Sequence, residues 1–114
     1  MPLRTVIAGS EQLGPLRSVA VRLPDGADAF VVRLPEGGFS AFLNRCPHWN
    51  VDLDMGLGEF VDPAIGLIVC RNHGAEFAVD SGLCLHGPCA GDRLCAVPFE
   101  RDDEGRAVLL TDPW

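Results

Sequence analysis

The sequence contains no lysine and no tyrosine, and its nine basic residues are all arginine. Sixteen Asp and Glu outweigh them and leave a formal charge of -7. A nucleic-acid partner needs a basic footprint, and this chain has none. An anionic membrane surface would repel it. Long apolar runs are missing too, so no segment reads as a membrane span. The first residues, MPLRTVIAGSEQLGPLRSVAV, hold no apolar stretch of signal-peptide length, and the expected compartment is the cytoplasm. No window carries a sustained helical stripe with caps. No glycine motif sits in a strand–helix–strand setting, which argues against a flavin or nicotinamide reductase.

What is present is turn chemistry. Gly 13 and Pro 9 in 114 residues favour short strands, and 47% hydrophobic content with 22% charged residues argues for a globular body. The length suits one domain, residues 1–114. Strands are expected at Leu3–Ala8, Leu16–Leu23, Ala29–Leu34, Phe39–Leu43, Ile65–Cys70, Ala75–Val79, Leu83–Leu85, Leu94–Glu100 and Arg106–Thr111. Leu16–Leu23 alternates apolar and polar residues, as a half-buried strand does. Pro35-Glu36-Gly37-Gly38 should join its flanking strands as a hairpin, and Asp102–Gly105 the last two. The fold class is all-β, a small antiparallel sandwich or barrel. Strands in 1–44 and 90–114 form its base and carry a loop-rich subdomain, 45–89.

Two Cys/His pairs stand out in that loop-rich part. Cys46-Pro47-His48 is C-x-H, and Cys70-Arg71-Asn72-His73 is C-x-x-H, with twenty-one residues between His48 and Cys70. Gly74 follows His73 and would leave room for close backbone approach. Two thiolates and two imidazoles complete a tetrahedral ligand set. A structural zinc fits them, and so does a 2Fe–2S cluster with two Cys on one iron and two His on the other.

The pattern resembles the Rieske-type iron–sulfur proteins. Besides the two pairs, the resemblance rests on Pro47, Leu53, Gly56, His73–Phe77 (HGAEF), Asp80–Gly82 (DSG), Gly87-Pro88, Leu94, Val97 and Asp102–Gly105, and spans roughly residues 30–111. It implies a fold of two antiparallel sheets with a small cluster-binding subdomain at 45–89. It also implies one 2Fe–2S cluster, with Cys46 and Cys70 holding the inner iron and His48 and His73 the outer. Neutral imidazoles in place of two thiolates remove negative charge, so an electron is accepted more readily than by a four-Cys centre.

High-potential members of the family brace their two ligand loops with a disulfide. The corresponding positions here are Val51 and Asn72. Those members also place a Ser and a Tyr near the cluster as hydroxyl donors. The Ser position is Ala75 here, and the chain has no Tyr. Fewer donors to sulfur mean less stabilisation of the reduced state, so the resemblance is to the low-potential ferredoxin group. Asn50 stands where many members have Gly.

Other residues are expected to be structural. Cys84, Cys89 and Cys95 read as small buried hydrophobes, with a Cys84–Cys89 bridge around Gly87-Pro88 as the alternative. Trp49 and Trp114 read as packing residues, His86 as a solvated turn residue, and Asp102–Glu104 as a solvated hairpin tip.

An oxygenase of this family needs a mononuclear iron held by two His and a carboxylate. With two of three His spent on the cluster, that triad cannot be assembled from this sequence. The expected function is therefore one-electron transfer from a reductase to a terminal oxygenase, with no substrate-transforming site. The alternative is a small subunit of a larger reductase, such as nitrite reductase. From another class, a zinc site would make the chain a non-redox interaction module.

Overall fold

The computed structural model describes residues 3–45, 53, 60–71, 74–87 and 91–111. They contain ten short strands and one 3-10 turn, Ser10–Gln12. The strands are β1 (Leu3–Val6), β2 (Ser18–Arg22), β3 (Asp28–Arg33), β4 (Phe39–Leu43), β5 (Val61–Asp62), β6 (Leu67–Val69), β7 (Glu76–Ala78), β8 (Cys84–His86), β9 (Phe99–Arg101) and β10 (Ala107–Thr111). They form three sheets, ordered β1-β10-β9, β2-β3-β4 and β5-β6-β7-β8, and every pairing is antiparallel. The all-β antiparallel expectation is met.

The sheet β2-β3-β4 is the middle layer, because its central residues are apolar on both faces. Ala29 and Val31 of β3, with Phe39 and Ala41 of β4, join Ile7, Leu23, Val97, Ala107 and Leu109 in one core. Their neighbours Phe30, Val32 and Phe42 point the other way. They join Leu53, Phe60, Ile68, Cys70, Ala75, Phe77, Cys84 and Leu94 in a second core. Phe30 stacks on Phe60, with centroids 4.2 Å apart and planes 5° from parallel. The register Phe30↔Phe42 and Val31↔Ala41 keeps each set on its own face. β2 behaves as its alternation predicts: Val19 and Val21 are partly buried against the first core, and Ala20 is exposed.

The strand expected at Leu94–Glu100 shortens to Phe99–Arg101. Its first part covers the free edge of β4 instead: the Leu43 N–H donates to Cys95 C=O and the Val97 N–H to Ala41 C=O. The pair β5, within a stretch with no clean periodicity, has no counterpart among the expected strands. Two buried polar groups are built into the frame. The Ser10 hydroxyl donates to Ile7 C=O at 2.6 Å and accepts the Ala107 N–H at 2.9 Å, tying the 3-10 turn to β10. The Ser40 hydroxyl donates to Val79 C=O at 2.6 Å, joining β4 to the end of β7.

The hairpin tip at Asp102–Glu104 is not wholly solvated. Asp102 accepts the backbone N–H groups of Arg106 and Glu104 and the Arg106 Nε. The Arg106 backbone N–H, chiefly, holds the Asp102 carboxyl below its ordinary range; burial opposes it, and the Arg106 guanidinium and the Glu104 N–H add to the lowering.

Candidate metal centre

The second Cys/His pair follows β6. Cys70 comes one residue after the strand ends, and β7 starts at Glu76. The Cys70 N–H donates to Ala75 C=O and the Gly74 N–H to Cys70 C=O, both at 2.8 Å. These bonds close residues 70–75 at the end of the β6–β7 pair. Cys70 and Ala75 are fully buried, among the apolar side chains of the second core. Gly74 has φ +74°, and a Cβ built on it would meet nothing within 4 Å. Its positive φ is a conformation that glycine adopts without strain. Asn72 and His73 lie outside the described residues.

So do Cys46, His48 and their neighbours Pro47, Trp49, Asn50 and Val51. The flanks of that pair are described. β4 ends at Leu43, and the next residue, Asn44, donates its N–H to Asp28 C=O at 2.9 Å. Asn44 Oδ1 accepts the Leu53 N–H at 2.8 Å, which brings the two ends of segment 44–53 together. The Leu53 C=O accepts the Arg71 N–H at 2.8 Å. Leu53 is fully buried. One buried residue thus bonds through its N–H to the entrance of the first pair and through its C=O to the residue after Cys70. Leu53 was legible in the sequence as part of the family pattern. Asn44 was not, since nothing local distinguishes it from the other Asn and Asp of that stretch.

A third segment leans on the second. Gly87, after β8, has φ +109°, and a Cβ on it would lie 2.8 Å from Ala75 Cα. His86 is exposed and on a strand, paired with Glu76, rather than in a turn. Cys84 is a buried hydrophobe as expected, and its Sγ donates to His86 C=O at 3.4 Å. Cys95 departs from expectation: it is exposed, because the chain around it lies along β4 as an outer edge. Cys89, Trp114 and Pro88 lie outside the described residues.

The residues present fit an iron–sulfur centre. Cys70 supplies a soft sulfur donor where the chain turns back between β6 and β7, the donor type that an iron–sulfur centre takes as thiolate, and the metal's own charge offsets the cost of a thiolate in an apolar bed. The Rieske [2Fe-2S] domain pattern matches residues 4–99. The chain belongs to the Rieske [2Fe-2S] domain family. Membership implies one 2Fe–2S cluster.

No curated protein matches the chain. Among solved structures, the ferredoxin of carbazole 1,9a-dioxygenase from Nocardioides aromaticivorans IC177 is 29% identical. That match covers 97% of both chains with a TM-score of 0.69. A protein assigned as the small subunit of NADH-dependent nitrite reductase from Mycobacterium tuberculosis is 24% identical. It is covered to 99%, against 100% of this chain, with a TM-score of 0.72. The terminal oxygenase of carbazole 1,9a-dioxygenase from Novosphingobium sp. KA1 is 21% identical with a TM-score of 0.73. There, 97% of this chain matches 30% of the oxygenase. The last two likenesses establish the Rieske fold and nothing finer.

Proposed function

We propose that the chain is a one-electron carrier of the ferredoxin type, passing electrons from a reductase to a terminal oxygenase. The observation that carries this reading is the match with the carbazole dioxygenase ferredoxin over 97% of both chains. The cluster supplies a one-electron couple within the range of this class. Cys46 and Cys70 hold its inner iron, and His48 and His73 the outer. Residues 45–89 are its binding subdomain, supported by the sheet β5–β8, whose strands all fall between residues 61 and 86. Residues 1–44 and 90–114 form the base of the single domain.

The chain's own residues do three things for such a couple. The second core excludes water from the Cys70 side. The 70–75 turn and the Asn44–Leu53–Arg71 bonds fix the ligand-bearing backbone. The described segments on either side of the second pair end in exposed residues, Arg71 and Gly74, and His86, paired with Glu76, is exposed as well; a partner can approach all three. The proposed compartment is the cytoplasm; no helix among the described residues is long and apolar enough to cross a membrane.

A second reading, the small subunit of a nitrite reductase, is favoured by the end-to-end structural match with such a protein. Partner and assembly separate the two. A carrier runs alone on gel filtration and supports turnover when mixed with a flavin reductase and a Rieske oxygenase. A subunit co-elutes with a large reductase chain. Failure in the mixed assay together with co-elution overturns the carrier reading.

A further inference from the structure

We infer that Asn44 is a positioning residue for the metal centre: its side chain closes the first ligand-bearing segment onto Leu53, whose backbone carbonyl in turn holds the second, and the two bonds together form a clasp. The inference rests on the proposed ligation by Cys46, His48, Cys70 and His73. Four residues carry it. The Asn44 N–H is anchored on Asp28 C=O, at the head of β3. Asn44 Oδ1 takes the Leu53 N–H at 2.8 Å and so closes the segment that contains Cys46 and His48. The Leu53 C=O takes the Arg71 N–H at 2.8 Å, one peptide beyond Cys70. Leu53 itself is sunk in the second core beside Cys70 and Ala75.

Of these bonds, only the one at Asn44 Oδ1 comes from a side chain, so it is the point where one substitution can undo the clasp. The positions of the loop-bracing disulfide are Val51 and Asn72 here, and the clasp supplies a non-covalent link between the same two loops. An amide suits the place better than a carboxylate. Both accept the Leu53 N–H, but a fixed negative charge beside a centre that gains an electron opposes reduction.

The test compares the holoprotein with Asn44→Ala and Asn44→Asp. Decay of visible circular dichroism under a chelator gives the rate of cluster loss, and a redox titration gives the midpoint. Asn44→Ala leaves the buried Leu53 N–H unpaired and should lose the cluster about tenfold faster. Asn44→Asp keeps the acceptor for the Leu53 N–H, so it should lose the cluster more slowly than Asn44→Ala while its potential falls. Wild-type lifetimes in both variants, or equally shortened ones, overturn the inference. Should Asn44→Ala not fold, hydrogen exchange in the wild-type holoprotein decides. The Leu53 amide should be protected like the amides of β4, and exchange at the rate of an exposed loop overturns the clasp. A wild-type protein with zinc and no sulfide would overturn the cluster, not the clasp, which the Leu53 amide still tests.

Discussion

Gly87 rests on Ala75 so closely that a single added methyl would stand 2.8 Å from the Ala75 Cα. Since Ala75 closes the turn that begins at Cys70, Gly87 holds the segment after β8 against the second ligand loop. Gly87→Ala meets backbone, not a flexible side chain, and also forces a side chain into φ +109°. It should push the two segments apart and speed cluster loss by an order of magnitude or more. Gly74→Ala is the control. A Cβ there meets nothing within 4 Å among the described residues and carries a strain of about 1 kcal/mol, so it should shorten the lifetime much less. Equal lifetimes under chelator challenge would disprove the contact's role.

The purified protein should be red-brown, with two irons and two acid-labile sulfides per chain, as a Rieske centre requires. His48→Ala and His73→Ala should abolish or greatly weaken cluster assembly. Cys84→Ser and Cys95→Ser should keep the visible spectrum, the second because Cys95 is exposed on the outer edge of β4. Ala75 in place of a hydroxyl donor and the lack of Tyr set the midpoint low, on the order of -150 mV. A midpoint well above zero would refute that reasoning.

Ser10→Ala tests the frame apart from the site. The hydroxyl is fully buried and serves both Ile7 C=O and the Ala107 N–H. Its loss leaves the β10 amide without an acceptor and should cost roughly 1–3 kcal/mol, read as a lower urea midpoint. The visible spectrum should not change.

Acid should weaken the β9–β10 hairpin through Asp102. Its carboxyl is held below the ordinary value, so the folded state binds its proton less readily than the unfolded chain does. The stabilisation is complete above the unfolded value of about 3.8 and is lost as pH falls through the lower folded value. Asp102→Asn should remove that share of the acid dependence of the urea midpoint between pH 5 and the acid limb. An unchanged slope would show that Asp102 contributes nothing there.

The parts of this fold that were legible in sequence are those fixed by neighbours. Phe39–Leu43 is found to the residue because Pro35–Gly38 sets its start and its apolar run has strand length. The two Cys/His pairs are legible because their spacing carries the chemistry within a few residues. Leu94–Val97 misleads for the opposite reason: an apolar run looks like a strand of the last hairpin, but Pro98 cannot donate a ladder bond and the stretch pairs with β4 instead. Asn44 was invisible because its role exists only when Leu53 and Arg71 come alongside. Gly87 could be seen as part of a turn, yet its contact with Ala75 belongs to the folded chain alone.

β3 also has a consequence for how the molecule can come apart. Its odd-numbered residues Ala29 and Val31 serve one core, and its even-numbered Phe30 and Val32 serve the core that contains Cys70. A one-residue slip against β4 would exchange the two sets, placing phenylalanine where alanine fits. Neither half can therefore re-register or melt while leaving the other intact. Heat should find one cooperative unit rather than a stable base with a detachable tip, and a lesion deep on either side of β3 is felt on both.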